Sequence, residues 1–235
     1  MPEDGSPLHL LLPIHVNDGA AVTNSEQLYV HFIAYLDSHF TISDLGPICH
    51  FLGISINYDQ KKGVLHLSQE PLIEELLAAH GLSSAHPQDV PLHTKLFHDQ
   101  SVPTTALPGY TDQATITRAY QRIVGLLLYL ASWTRPDLAF TVVALVQWNV
   151  SPTCSTLLAD KGVLLRYLLG TKHWQLVYGD SVRTDSIAYC DADWATNEYN
   201  CRSISGCADT PVLQLSLYAG NMHRLIMTRV LGCAI

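Results

Sequence analysis

Residues 120–139 read YQRIVGLLLYLASWTRPDLA and decide the helical character of the second half of the chain. The apolar residues of this stretch recur at the spacing of one helix face: Tyr120, Ile123, Val124, Leu127, Leu128 and Ala131. Arg135-Pro136 then ends the helix, because the residue before a proline is disfavoured in the α region. The stretch therefore predicts a long helix with one buried face, followed by a break.

Two more helices and two strands are predicted downstream of this break. The second helix runs to about Val150, and the third spans residues 155–170 and stops at its terminal glycine. Residues 174–178 and 186–190 have the composition of strands. Beyond residue 206 the sequence has no helical or strand period, so no element is predicted there.

Upstream of the quoted stretch, residues 83–113 hold four prolines among serine, threonine and aspartate, which predicts a long loop. A helix is predicted before this loop, from Gln69 to Gly81, with Pro71 in its first turn. Its apolar stripe consists of Leu72, Ile73, Leu76 and Leu77.

Two hairpins are predicted in the first 68 residues. Residues 8–16 are typical of a buried strand, and Asn17-Asp18-Gly19 is a strong turn signal before a second run at 20–23. Ser25 can cap a helix that follows. The second hairpin comprises the extended stretch 40–58, a polar turn at 59–63 and a return at 64–67. The helix that Ser25 caps, between the two hairpins, carries an apolar face of Leu28, Phe32, Ile33 and Leu36.

The charge of the chain is unevenly distributed. A composition of 48% hydrophobic and 14% charged residues predicts a packed core, and the net charge of −8 alone argues against a nucleic-acid binder. Residues 114–172 nevertheless hold six basic residues against two acids, so this segment is +4 and the remainder −12. Either a phosphate-binding surface or a solvated helix face fits this segment. The six are Arg118, Arg122, Arg135, Lys161, Arg166 and Lys172.

Cysteine usage and hydropathy predict an intracellular protein, cytoplasmic or nuclear. The six cysteines show no CxxC spacing, which favours a reduced compartment. The apolar run at 8–14 is too short for a membrane span and follows Glu3 and Asp4 rather than basic residues. We therefore expect neither a signal peptide nor a membrane-spanning segment.

Eight short motifs follow one another along residues 14–206: Ile14-His-Val-Asn-Asp-Gly19, Phe40-Thr-Ile-Ser-Asp-Leu-Gly46, Phe51-Leu-Gly-Ile54, His66-Leu-Ser-Gln69, Tyr120-Gln-Arg-Ile-Val-Gly125, Thr134-Arg-Pro-Asp-Leu-Ala139, Cys190-Asp-Ala-Asp-Trp-Ala195 and Arg202-Ser-Ile-Ser-Gly206. Each motif alone is weak. In this order and at this spacing they resemble the Copia-type LTR retrotransposon Pol polyprotein, from the end of its reverse transcriptase into the start of its RNase H.

The resemblance implies an α+β fold in three parts. Residues 1–68 would be a partial reverse-transcriptase palm with hairpins, and residues 69–170 a helical thumb. Residues 171–235 would be an incomplete RNase H-like sheet with a divergent tail. An RNA–DNA or DNA primer–template would be the partner, and Mg²⁺ is the cofactor of the intact family.

The resemblance also implies a degraded polymerase site at the first turn. The family has two adjacent aspartates there, where this chain has Asn17 and Asp18, and Asp18 would be a metal ligand. The family has a third palm aspartate well upstream of this hairpin, and the sequence that starts at Met1 does not reach its position. A charge pair at about 4 Å is worth roughly 4 kcal/mol at an effective dielectric near 20. At about tenfold per 1.4 kcal/mol, losing one acid costs several powers of ten in rate. Without the resemblance, these residues would be read as an ordinary turn.

The RNase H part gives a similar expectation. By the resemblance, Asp191 matches the first catalytic carboxylate of RNase H and would be a metal ligand. Without the resemblance, Asp191 would be interpreted as a polar residue at the end of a strand. The family's later acids would lie beyond Gly206, where Asp209 is the last acidic residue and is too close to serve. We therefore expect no productive Mg²⁺ binding at either site.

Three hypotheses follow. The first is a catalytically inactive remnant of an RNA-directed DNA polymerase with RNase H. The alternative is a non-enzymatic module that binds nucleic acid or a polymerase partner through the thumb helices, with missing polymerase portions supplied in trans. The third is a reading frame without a retained role. The residues expected to bind nucleic acid are Arg118, Arg122, Lys161 and Arg166.

Overall fold

The computed structural model describes residues 7–91, 112–153 and 160–179, and three further strands at 187–192, 205–210 and 224–233. The chain forms two compact units. The sheet unit comprises Met1–Leu52, Ile56–His66 and Val177–Ile235, and the helical unit comprises Gly53–Ser55 and Leu67–Leu176. The division into palm, thumb and RNase H parts stays a prediction.

Helices and strands alternate along the described residues. In chain order the elements are β1 (Leu10–Leu11), β2 (Ile14–His15), β3 (Asp18–Thr23), α1 (Glu26–Asp37), β4 (Phe40–Pro47), β5 (His50–Phe51), β6 (Ile54–Asp59), β7 (Val64–Ser68), α2 (Glu70–Ala79), α3 (Gln113–Trp133), a 3₁₀ turn (Pro136–Leu138), α4 (Ala139–Val146), a π turn (Asp160–Leu164), α5 (Leu165–Thr171), β8 (Leu176–Tyr178), β9 (Ile187–Ala192), β10 (Ser205–Thr210) and β11 (Arg224–Cys233). None of the described helices combines the length and apolar character needed to cross a bilayer.

The strands form three sheets within the described residues. The first has the order β1-β3-β11-β4, with β2 also paired to β3, and its pairings are antiparallel. The second is the antiparallel pair β9 and β10, and the third has the order β5-β6-β7-β8. The two predicted hairpins are therefore present, in different sheets.

The prediction of one buried strand at 8–16 is wrong. This segment forms the two-residue strands β1 and β2, and Leu8 and Ile14 are 48% and 61% exposed. Pro13 lies between the two strands, and a proline cannot donate a backbone hydrogen bond to a strand neighbour. The turn also comes earlier than predicted, because Val16 and Asn17 form the loop and Asp18 already belongs to β3.

Helix α1 follows its sequence signals closely. The Ser25 hydroxyl accepts a hydrogen bond from the Leu28 backbone N–H at 3.3 Å, so Ser25 is the N-cap that was predicted. All four residues of the predicted apolar face are partly buried, and Tyr29 is buried. With Ala21, Tyr29 forms a small core cluster in the sheet unit.

The helical unit has a much larger core. Sixteen buried residues form one cluster, which includes most of the predicted stripes of α2 and α3. Leu72 and Ala131 are partly buried against it, whereas Leu128 is 38% exposed, so its predicted burial is wrong. The sixteen residues of the cluster are Ile73, Leu76, Leu77, Ile116, Tyr120, Ile123, Val124, Leu127, Leu130, Leu138, Val142, Leu145, Leu164, Leu165, Tyr167 and Leu168. Burying each such apolar side chain contributes about 1.5–3 kcal/mol. This cluster is the main stabilising feature of the helical unit.

Helix α3 is well defined at both ends. Asp112 is its N-cap, and its carboxylate accepts hydrogen bonds from the backbone N–H and the hydroxyl of Thr115, both at 2.8 Å. These bonds, the backbone one first, lower the pKa of Asp112. The helix ends at Trp133 and Pro136 opens the following 3₁₀ turn, as the Arg135-Pro136 signal predicted.

The later helices differ in detail from the prediction. Helix α4 ends at Val146, about one turn short of Val150. Helix α5 continues to Thr171 instead of stopping at Gly170. A Cβ on Gly170 would stand 2.9 Å from the Pro87 side chain, so this glycine allows the loop to approach the helix. Residues 155–159 lie outside the described residues.

Candidate acidic hairpin and basic helix face

The acidic hairpin, residues 14–19, is the candidate metal site of the sheet unit. His15 pairs with Asp18 at the base of the loop Val16-Asn17. Val16 adopts a φ of 57°, which a β-branched residue rarely does, and it is 87% exposed. Such strained positions cost about 1–3 kcal/mol and cluster at functional sites. Asn17 is exposed at this tip, whereas Asp18 is half-buried at the start of β3.

The donor set of the hairpin does not fit a pair of magnesium ions. Asp18 supplies the one carboxylate of residues 14–19, and Asn17 supplies an amide oxygen without charge. Among the residues that the structure describes, no three histidine, cysteine or acidic side chains are grouped to hold a metal. Two-metal phosphoryl transfer needs anionic oxygens around both ions. Within the described residues, the side chains at this hairpin therefore do not form such a site.

Asp191 lies on β9, where its backbone register places it opposite Gly206 of β10. The two strands form an antiparallel hairpin, which includes the predicted strand 186–190 almost completely. The side chain of Asp191 and all of Asp193 fall outside the described part of the chain. The metal-binding role of Asp191 stays a prediction.

Arg118 and Arg122 lie one turn apart on the exposed face of α3. The Arg118 Nε donates a hydrogen bond to the Ala114 carbonyl at 3.3 Å, which leaves the rest of its guanidinium available to a ligand. Gly125 continues this face, and no described atom lies within 4 Å of where its Cβ would stand. The basic helix face, which we define as Arg118, Gln121, Arg122 and Gly125, is thus accessible to an elongated partner.

A cavity of about 490 Å³ lies beside this face, between α2 and α3. Leu72 and Leu76 of α2 and Ile123 of α3 give it an apolar lining. Glu75 and Arg122 also line it and are its charged residues. Sequence analysis did not identify this cavity, because its volume depends on how two distant helices pack.

Arg135 does not belong to the basic surface that its charge suggested. It is 1% exposed, and its guanidinium donates to both carboxylate oxygens of Asp137 at 2.9 and 2.7 Å. It also donates to the Thr171 carbonyl at 3.1 Å and the Thr171 hydroxyl at 2.7 Å. Arg135 therefore ties the break after α3 to the end of α5, which is a structural role.

Asp137 completes this buried network. Burial alone would raise the pKa of Asp137, but the hydrogen bonds and charge of Arg135, with the Tyr167 hydroxyl, lower it overall. The Tyr167 hydroxyl donates to Asp137 at 2.9 Å. Burial and this bond raise the pKa of Tyr167. The carboxylate is therefore held in its charged form.

The other basic residues of the segment are also partly occupied. Arg166 donates to the His86 carbonyl at 2.6 Å, and Lys172 forms ion pairs with Glu70 and Glu74. Lys161 lies in the π turn, and its side chain is not described. Of the four residues predicted to bind nucleic acid, Arg118 and Arg122 are thus the two placed together on an exposed face.

The large aromatic residues of the helical unit differ in their burial. Trp148 packs against the core cluster, but Trp133 and Trp174 are both 48% exposed. Trp174 faces the Arg135 guanidinium at 5.5 Å, and the ring of Tyr129 lies 6.4 Å from that of Trp133.

Comparison with known proteins gives three informative similarities. The chain is 34% identical over 200 residues to an uncharacterized mitochondrial protein of Arabidopsis thaliana, covering 84% of this chain and 77% of that protein. It is 32% identical over 194 residues to the retrovirus-related Pol polyprotein from transposon RE1 of the same plant. A retrovirus-related Pol polyprotein from a Nicotiana tabacum transposon is 31% identical over 199 residues.

The coverage of these relatives is unequal. The two polyproteins are matched over 82% and 84% of this chain, which spans only 12% and 14% of their own lengths. No protein-family model and no solved structure matches the chain. The similarity to the two polyproteins is therefore a similarity to portions of much longer proteins, whereas the mitochondrial protein is matched over most of its length.

Proposed function

We propose that this chain, which is 32% and 31% identical to two retrovirus-related Pol polyproteins of transposons over 82% and 84% of its length, is an inactive remnant of an RNA-directed DNA polymerase with RNase H. Its sequence corresponds to a transposon-derived fragment. The resemblance of its motifs assigns that fragment to the end of the reverse transcriptase and the start of RNase H. The assignment of residues 1–68 to the palm, 69–170 to the thumb and 171–235 to RNase H is part of this proposal.

The observation that carries the proposal is the composition of the acidic hairpin. An exposed Asn17 stands where the family has an aspartate, and Asp18 is the only acid of the hairpin. An amide oxygen can coordinate a hard cation but cannot neutralise its charge. The loss of one charge from a two-cation site lowers the stabilisation of the transition state.

Primer extension tests this proposal. The purified full chain is incubated with a primed RNA template, deoxynucleotides and Mg²⁺, and we expect no elongation above the buffer control. Asp18→Asn is the matched control, since it removes the remaining acid with little change in size. Elongation by the full chain that disappears in Asp18→Asn contradicts the proposal, whereas elongation that persists in this variant comes from a contaminant.

The RNase H part is tested separately. We expect the full chain to leave the RNA strand of an RNA–DNA hybrid intact in the presence of Mg²⁺. Cleavage that is lost in Asp191→Asn would show that this strand end retains activity. That result would contradict the proposal that the RNase H part is inactive. The inactivity of the polymerase part is tested only by primer extension.

The basic helix face supports a second candidate function, the binding of nucleic acid or a polymerase partner without catalysis. Arg118 and Arg122 project from successive turns of one helix, so their spacing of about 6 Å suits neighbouring phosphates of a backbone. Gly125 on the same face lets a strand approach the helix backbone closely. Missing polymerase portions, supplied in trans, would position the nucleic acid on this face.

Salt-dependent binding separates this function from a solvated helix face. The double variant Arg118→Ala/Arg122→Ala should weaken the retention of an RNA–DNA hybrid. It should also reduce the slope of log affinity against log salt by about 2, roughly one for each lost phosphate contact. The matched control is Lys61→Ala/Lys62→Ala, which removes two exposed charges of the β6–β7 turn. Equal effects of the two double variants would contradict a specific role for α3.

A further inference from the structure

The cavity between α2 and α3, which we call the interhelix groove, is lined by one stripe of each helix. Both stripes have the spacing i, i+4 and i+7, which is the spacing of a single helix face. The stripe residues are Leu72, Leu76 and Ala79 on α2 and Ala119, Ile123 and Leu126 on α3. An apolar groove between two helices suits a third helix, which inserts its own apolar stripe.

The interhelix groove carries one charge on each wall. Glu75 lies on the α2 wall and Arg122 on the α3 wall, and the described ion pairs involve neither residue. Arg118, one turn before Arg122, extends the positive side of the groove. A nucleic-acid backbone would meet these arginines but would leave the apolar lining unfilled. A helix with apolar residues and an acidic end directed toward α3 complements both features.

Helix α1 has an exposed stripe of this composition. Glu26, Val30, Ala34 and Asp37 recur at the spacing i, i+4, i+8 and i+11, and all four are exposed. Val30, near the middle of the stripe, is 56% exposed. The stripe therefore presents two small apolar side chains between two carboxylates, on the side of α1 that does not face its own sheet unit.

Asp37 is the carboxylate of this stripe that most needs a cation. It is the last residue of α1, and the helix dipole disfavours an acid at a helix C-terminus. The described ion pairs do not include Asp37. Residues 7–60 contain five acids and no lysine or arginine, so the sequence around α1 provides no such cation. A cation on another molecule would therefore stabilise this end of the helix.

We propose that the interhelix groove is a docking site for helix α1 of a second copy of this chain, with Asp37 of one copy paired to Arg122 of the other. The two surfaces differ, so copies associate head to tail. One helix in one groove buries less than the roughly 1,600 Å² of a standard interface, so the association is weak. The proposal does not depend on the polymerase ancestry of the chain.

Sedimentation velocity of the full, nuclease-treated chain at about 1–100 µM tests the association. We expect species larger than the monomer that increase with concentration. Gly125→Phe should weaken the association about tenfold, because Gly125 lines the groove and nothing lies within 4 Å of where its Cβ would stand. Gly162→Phe is the matched control, since Gly162 has equally open space but does not line the groove.

Three results overturn the docking site. The first is a monomer at every concentration. The second is association that Gly125→Phe leaves unchanged, or that both phenylalanine variants weaken equally, which indicates aggregation through another surface. The third is association that appears only after an RNA–DNA hybrid is added, which shows that nucleic acid joins the copies instead of α1.

A charge swap tests the pair between Asp37 and Arg122. Asp37→Lys and Arg122→Glu should each weaken the association about five- to tenfold, because each places like charges together. An equimolar mixture of the two variants should restore it, since each variant supplies the charge that the other requires. Lys61→Glu is the control, because it reverses an exposed charge of the β6–β7 turn and should have no effect. A mixture that associates no better than its components shows that Asp37 and Arg122 do not pair.

Discussion

The helical unit and the sheet unit differ in how they are held together. Sixteen buried residues form one cluster in the helical unit, whereas the described cluster of the sheet unit contains Ala21 and Tyr29 with three partly buried neighbours. The helical core is built from stripes that recur every three or four residues. The sheet instead depends on strands that are far apart in the sequence. Among the side chains that the structure describes, the part with the candidate chemistry therefore has the smaller core cluster.

The same contrast holds for the charged motifs. Arg135 is buried and pairs with the partly exposed Asp137 in the helical unit, and both belong to a motif of the family resemblance. Asn17 lies exposed at the tip of the acidic hairpin, where the proposed function expects an aspartate. If the proposed function is right, the residues of the resemblance that maintain structure are intact, while one that would perform chemistry is not.

The largest expected effect comes from breaking the Arg135 network. Arg135→Met removes two hydrogen bonds to the Asp137 carboxylate, which keeps the Tyr167 hydroxyl as a donor, and two to Thr171, and should lower the free energy of unfolding by about 3–5 kcal/mol. Urea denaturation followed by far-ultraviolet circular dichroism measures it. Arg166→Met, which loses a single bond to the His86 carbonyl, should cost less than about 1.5 kcal/mol. Equal costs would show that the network is not the anchor of the helical unit.

Core truncation compares the two units directly. Leu127 has 0% exposure in the helical cluster, and Leu127→Ala should cost about 2–5 kcal/mol through lost burial and a cavity. Leu11 in β1 is 46% exposed, and Leu11→Ala should change the free energy of unfolding by only about 0.5 kcal/mol. Hydrogen exchange assigns each loss to its unit. A larger loss from Leu11 would contradict the unequal cores.

The pH dependence of stability should reflect the lowered pKa of Asp137. Its stabilising contribution is fully present above the unfolded carboxyl value of about 3.9 and is lost as pH falls through the lower folded pKa. Unfolding free energies of the full chain and Asp137→Asn, measured between pH 3 and 7, should therefore converge at the acid end. A difference that stays constant over this range would contradict the linkage.

The smallest expected effect is at the N-cap of α1 in the sheet unit. Ser25→Ala removes the hydroxyl that accepts from Leu28 and should cost about 1 kcal/mol. Ser25→Asp preserves an acceptor and should retain most of the stability. Hydrogen exchange of the first turn of α1 reports the change locally. Fraying that is the same in both variants would show that the cap bond contributes nothing.

Much of the local structure could be predicted from the sequence. Helices α1, α2 and α3, the Ser25 cap, the break at Pro136 and the polar turn before β7 all follow from spacing and from individual residues. The interruption at Pro13 could also have been read from the sequence, because a proline cannot donate to a neighbouring strand. These features depend on contacts within a few residues.

The long-range features could not be predicted. Strand β11 has no alternation in its sequence, and the strands that it pairs with, β3 and β4, lie near the other end of the chain, so no local pattern indicates the pairing. Arg135 is buried because its guanidinium donates hydrogen bonds to Thr171, which lies 36 residues away in the sequence. At the candidate sites, the sequence identified the pair Arg118 and Arg122 on one helix but not the cavity beside them, and the interpretation of Asn17 as a lost aspartate stays a prediction.

The central claim is that the acidic hairpin lacks the anionic oxygens to hold two divalent ions. Manganese titration of the full chain by electron paramagnetic resonance measures this directly, because Mn²⁺ takes the oxygen ligands that Mg²⁺ prefers. We predict no pair of bound ions and no difference between the unmodified chain and Asp18→Asn. Two Mn²⁺ ions bound per chain with mutual magnetic coupling, and lost in Asp18→Asn, would contradict the account.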